Sequence, residues 1–166
     1  RTDKYGIDLA KTNFTVTAME NRNKDANDND LYNIVMLANG SINSVVAGAP
    51  AEDNLDANKP VKVKNTAAIT IGSTANTGYN MLGMMAYKGG EFENDADITL
   101  NTKNSIGLVI EGEAERSGVK KESKGESTSS TIKVTGDGSI AVYNNGRTYT
   151  MTGGEINISG KKNVGV

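Results

Sequence analysis

The stretch IKVTGDGSIAVYNNG, residues 132–146, sets two short apolar alternations on either side of a Gly, Asp and Ser link. The same layout returns in INISGKKNVGV, residues 156–166, and occurs earlier in ITLNTKNSIGL, residues 98–108. In each copy the two alternations start eight residues apart: Ile98 to Ile106, Ile132 to Ile140, Ile156 to Val164. A fourth, more divergent copy is Ile69-Thr70-Ile71, followed after a longer link by MLGMMAY at residues 81–87. The copies begin at 69, 98, 132 and 156, so the steps of 29, 34 and 24 residues fit a bare unit of 24 with insertions.

Alternation of period two is the signature of a strand with one buried face: Ile132 and Val134 point one way, Lys133 the other. RTYTMT, residues 147–152, supplies a third run before the next copy begins, giving three short strands per unit. Gly and Asn at the joints tolerate the positive φ of sharp corners. Helix propensity runs against β-branched segments interrupted by glycine. A closed antiparallel barrel would not require the eight-residue spacing to recur. The expected fold is all-β, a right-handed parallel β-helix, or solenoid, with loop insertions, in which Ile69, Ile98, Ile132 and Ile156 form one buried column.

Two regions are expected. Residues 69–166 hold the regular repeats, interrupted by a charged loop at 113–127. Residues 1–68 hold irregular rungs with polar insertions, including ENRNKDANDND (residues 20–30) and GAPAEDNLDANKPVKVKN (residues 48–65). Ahead of the first, GIDLAKTNFTVTA (residues 6–18) reads as strands, and between the two LYNIVMLANGSINSVVAG (residues 31–48) reads as two strands or a short helix and a strand. The position between the apolar residues of the second alternation is small every time: Gly83, Gly107, Ala141, Gly165. It reads as a corner or bulge that a larger side chain would strain, or as a smooth outer strip where a glycan or another chain lies close.

Composition removes several kinds of chemistry. Cys, His and Trp are absent, so triads and dyads that need imidazole or thiol cannot form within the chain, nor can thiolate or imidazole metal sites. With 18 basic and 20 acidic residues, the net charge of −2 gives no reason to expect nucleic acid or an anionic membrane as partner. The chain opens on Arg1 without Met and shows no leader, which suggests a mature or excised segment. No cofactor and no metal is expected.

GSIAVYNNG and GGEINISGKKNVGV resemble the passenger repeats of large autotransporter adhesins of the fusobacterial kind, over residues 69–166. The resemblance implies a segment of a secreted fibre tethered at the outer membrane and exposed at the cell surface. It implies attachment to a protein or glycan of a host or partner bacterium, and no catalysis. No family binding residue carries over, because the motif specifies the coil. The runner-up is a β-helical polysaccharide lyase or hydrolase, and a third reading is a pure spacer. An enzyme should gather charged residues on one strand face across successive units, whereas the residues beside the first alternations are Thr70, Thr99, Lys133 and Asn157.

Three candidate sites follow. Asp95 and Asp97, two apart on an outward face, have the spacing of a glycosidase carboxylate pair at about 6.6 Å, against the commoner role of solvated edge acids. DANDND, residues 25–30, begins like a calcium loop but has Asp30 where the turn glycine belongs and Met36 where the bidentate glutamate belongs. The charged loop offers Glu113, Glu115, Arg116, Lys120, Lys121 and Lys124 as candidate ligand-binding residues. Rung residues are fixed by stacking, so contact chemistry is expected in excursions.

Overall fold

The computed structural model describes residues 6–8, 14–16, 32–40, 61–116 and 118–166. Those residues are all-β and contain no helix. The first set of strands is β1 (Gly6–Asp8), β2 (Phe14–Val16) and β3 (Asn33–Asn39), and the second is β4 (Val61–Asn65), β5 (Ile69–Ile71) and β6 (Met81–Tyr87). The third set is β7 (Gly90–Asn94), β8 (Ile98–Leu100) and β9 (Ile106–Glu111), followed by a hairpin of β10 (Glu113–Arg116) and β11 (Val119–Glu122). Then come β12 (Lys124–Ser127), β13 (Ser130–Val134) and β14 (Ile140–Asn144), and finally β15 (Thr148–Met151) and β16 (Gly154–Ile158).

Successive strands of a set do not pair with each other. Each joins a different parallel sheet, beside its counterpart from the neighbouring set. The first sheet runs β1-β4-β7-β12-β15, the second β2-β5-β8-β13-β16 and the third β3-β6-β9-β14. Ile98 lies between Ile69 and Ile132, and Ile132 between Ile98 and Ile156. In the third sheet Ile106 is flanked by Leu82 and Ile140, and Ile140 also bridges to Val164. The eight-residue spacing is thus the distance from the second sheet to the third.

Insertions account for the unequal steps. Ile69 to its third-sheet counterpart Leu82 is five residues longer than Ile98 to Ile106, the excess of 29 over 24. The step of 34 contains the ten residues of the hairpin, 113–122.

The core lies between the sheets: Ile69, Ile71, Met84, Ile98, Leu100, Leu108, Ile110, Ile132, Val134 and Val142 are all but fully buried. Ile156 departs from the expected buried column. It is only partly covered, because Ile132 flanks it on one side and no described strand on the other. The small positions also resolve into one of their two readings. Gly83, Gly107 and Ala141 are buried, and a Cβ on Gly107 would sit 2.6 Å from the Ala141 carbonyl oxygen. They leave room for the close backbone of the neighbouring strand and form no outer strip.

Polar ladders hold the corners. Between the first and second sheets, Asn65 Nδ2 donates to Asn94 Oδ1 (2.8 Å) and Asn94 Nδ2 to Ser130 Oγ (2.9 Å), all buried. Between the second and third, backbone N–H groups of Met81, Ser105 and Ser139 donate to Ser105 Oγ, Ser139 Oγ and Asn163 Oδ1 of the next set. A buried N–H or amide without such a partner would cost about 1–3 kcal/mol, so these ladders fix register as firmly as the apolar columns do.

Two boundaries move. Residues 61–65, the end of the second polar stretch, form β4, so the division at 68 falls inside the second set of strands. Of LYNIVMLANGSINSVVAG, residues 33–39 are one strand. The acidic stretch at 25–30 lies outside the described residues.

Candidate functional site

The charged segment at 113–127 is two structures. Residues 124–127 are β12, a strand of the first sheet with Gly125 and Ser127 buried. Gly125 is required there because the Phe92 ring of the adjacent strand occupies the space of a side chain: a Cβ would stand 2.5 Å from Phe92 Cζ. The candidate loop therefore ends at Glu122, and Lys124 belongs to the sheet, 3.9 Å from Glu91.

Residues 113–122 form an antiparallel hairpin inserted at a corner that is otherwise tight. Gly112 and Ser123 pinch its neck. Ser123 N–H donates to the Gly112 carbonyl (3.1 Å), Ser123 Oγ donates to the Glu111 carbonyl (2.7 Å) and accepts from Gly89 N–H (3.0 Å). One set further on, the same corner is made by Asn145, Gly146 and Arg147 alone. Gly112 and Gly146 both have positive φ, 78° and 63°.

Within the hairpin Glu113 faces Glu122, Ala114 faces Lys121, Glu115 faces Lys120 and Arg116 faces Val119. Two like charges directly opposite repel. Arg147, on the following corner, answers both: its guanidinium lies 3.4 Å from the Glu113 carboxylate and 3.8 Å from that of Glu122. Lys120 Nζ is 2.7 Å from Glu113, and it, ahead of the charge of Arg147, holds the Glu113 carboxyl below its ordinary value. The structure thus brings Glu113 and Lys120 together and engages them with each other, while Glu115, Lys120 and Val119 face solvent.

Asp95 and Asp97 lie in the corner between β7 and β8. Asp95 accepts from Thr128 Oγ1 (2.6 Å) and pairs with Lys64 Nζ (2.8 Å), and Asp97 accepts the Thr131 N–H (2.7 Å). Each carboxylate ties one set of strands to the next.

The column Thr70, Thr99, Lys133, Asn157 is observed as expected. The concentrated charge lies on the first sheet, whose outer face aligns Lys62 with Glu91 and Lys124, and Lys64 with Glu93 and Glu126. Glu93 pairs with Lys62 (2.6 Å) and Lys64 (2.5 Å), which together hold its carboxyl below its ordinary value. Asp95 is also lowered: burial pushes it up, but hydrogen bonds from Lys64 and Thr128 outweigh that, while Lys64 itself is pushed up by Asp95 and Glu93. Sequence reasoning missed this face, although its spacing carried the signal. Lys62, Glu91, Lys124 and Thr148 follow one another at 29, 33 and 24 residues, almost the steps of the isoleucine column.

No group of acidic side chains among the described residues is arranged to hold a metal ion. Compared with protein-family models, with curated protein sequences and with solved structures, the chain gives no match.

Proposed function

We propose that the chain is a right-handed parallel β-helical passenger segment of an autotransporter adhesin, displayed at the cell surface, and that it mediates attachment without catalysis. The observation that carries the reading is the contrast at one corner: a neck of Gly112 and Ser123 lifts a ten-residue charged hairpin out of a stack whose equivalent corner needs only Asn145, Gly146 and Arg147. Three parallel sheets visited in turn, with in-register columns, support the helical coil. The hairpin is a presented element: its solvent-screened charges give weak single contacts that many copies along a fibre multiply.

Deleting residues 113–122 leaves Gly112 and Ser123 as a corner of the same length as Gly146 and Arg147. Beads coated with this variant should attach to target cells much less than beads coated with the parent, with the circular dichroism spectrum unchanged. Equal attachment would reduce the hairpin to a tolerated insertion and leave the spacer reading.

The charged first-sheet face favours one other reading, a β-helical polysaccharide lyase or hydrolase, since that class gathers acids and bases on one strand face. Polysaccharide cleavage by the chain, abolished in Glu93→Gln, would establish it in place of the adhesin.

A further inference from the structure

The corners between the second and third sheets carry charge that their surroundings leave unbalanced. Lys103, Asp137 and Lys161 hold the same place in three successive corners, two residues before the acceptors Ser105 and Ser139, which are buried, and Asn163, which is half-buried. The next position is Asn104, Gly138 and Lys162, each at positive φ: 48°, 70° and 58°. Gly and Asn are ordinary there, whereas a lysine in the left-handed region is held against its backbone preference. These six residues line an open cleft of about 320 Å³, at the small end of ligand pockets.

Three of the lining residues are lysines and one is an aspartate. Asp137 Oδ1 already accepts the Lys161 backbone N–H (2.8 Å), and the Asp137 N–H donates to Asn76 Oδ1 (2.7 Å), so the acid is fixed in place by the corners around it. Among the described residues Lys103, Lys161 and Lys162 form no ion pair, whereas Lys62, Lys64, Lys120 and Lys124 each lie within 4 Å of a carboxylate. Lys103 Nζ instead lies 5.7 Å from the centre of the Tyr79 ring.

We infer that this cleft binds an anionic sugar. A carboxylate or sulfate on the ring meets the lysine ammonium groups, while the Asn104 amide and the second oxygen of Asp137 take ring hydroxyls. Asp137 selects for that chemistry. A chain of phosphodiesters would bring a repelling charge to the acid, whereas a ring with one anionic group offers it a hydroxyl donor. The inference deepens the attachment reading by naming a ligand class and rests on that reading for its biological meaning.

The test titrates the soluble, full chain with sialyllactose, with singly sulfated lactose and with lactose, following backbone amide shifts by NMR. One or both anionic probes bind with an affinity in about the millimolar range, and lactose does not. The probe that binds tells carboxylate from sulfate. Lys162→Gly weakens binding several-fold without lowering thermal stability, because glycine suits the backbone there. Lys103→Ala combined with Lys161→Ala weakens it by about ten-fold, and Lys133→Ala, on the neighbouring face, leaves it unchanged. Deleting residues 113–122 also leaves it unchanged, so loss of bead attachment in that variant is scored apart from sugar binding. Equal binding of lactose, binding by neither anionic probe, or lysine variants that bind like the parent would overturn the inference.

Discussion

Ile132 and Glu113 lie 19 positions apart and are held by opposite means. Ile132 is fully buried, and its neighbours Ile98 and Ile156 repeat its own chemistry. Glu113 stands on an excursion where its partners, Lys120 and Arg147, come from its own hairpin and from the following corner. The first kind of position is stabilised by the column and tolerates little. The second is stabilised pairwise through solvent and is free to vary.

Substitution in the column should have the largest effect. Ile132→Asp buries an unpaired charge between two isoleucines and is expected to cost about 3–5 kcal/mol in denaturant unfolding. The same change at Ile156 should cost far less, because that end of the column is only partly covered. Equal losses at the two sites would remove the stack from the explanation.

The close backbone contact at Gly107 is the next point of failure. Gly107→Val drives a Cβ toward the Ala141 carbonyl oxygen and meets the Ile132 Cγ2 methyl at 3.3 Å, an overpacking expected to cost about 1–3 kcal/mol. Gly118, between the hairpin strands, has φ +76° and nothing within 4 Å of where a Cβ would stand, so Gly118→Ala incurs backbone strain alone, about 1 kcal/mol, confined to the hairpin. Thermal unfolding of the two variants separates a packing fault from a local one.

The first-sheet ladder should show itself through pH. Glu93 and Asp95 are lowered in the folded chain, so their contribution is complete above the ordinary carboxylate range and is lost as pH falls through the depressed values. Lys64 is raised, so its contribution is complete below the ordinary lysine value and is lost only in stronger alkali. Stability should hold between about pH 5 and 9 and fall in acid by less than about 1 kcal/mol from these partly solvated pairs. Lys64→Met should flatten that acid limb, and an unchanged limb would assign it to other groups.

Removing the hairpin's clamp should have the smallest global effect. Arg147→Ala leaves Glu113 and Glu122 facing each other without the shared cation. Amide exchange in residues 113–122 should quicken several-fold while β9 and β13 keep their protection. Faster exchange throughout would mean that the hairpin stabilises the stack.

The second and third sheets were legible in sequence because their strands carry isoleucine, leucine and valine inward at every copy, and the corner glycines mark the joints. The first sheet was legible at its outer strands, in GIDL and RTYTMT, whereas its middle strands were hidden because their inward residues include Asn65, Asn94, Gly125 and Ser127, buried through hydrogen bonds or beneath Phe92. Without an apolar alternation, KGES merged into the charged loop and the ladder of Lys62, Glu91 and Lys124 had no strands to sit on. The hairpin's excursion was visible as charge density, but its clamp was not. Arg147 comes from the next corner, and only the register brings it to Glu113 and Glu122.

In-register stacking is the central claim, and the absence of cysteine allows it to be tested with two introduced labels. Thr70→Cys and Asn157→Cys stand on one column, on β5 and β16, three sheet steps apart. At about 4.8 Å per step their Cα atoms should be about 14 Å apart, although 87 residues of chain separate them. Dipolar EPR between nitroxides at the two sites should give one narrow short-range distribution consistent with that spacing. A broad distribution, or a distance beyond about 30 Å, twice the stacked spacing, would contradict the stack.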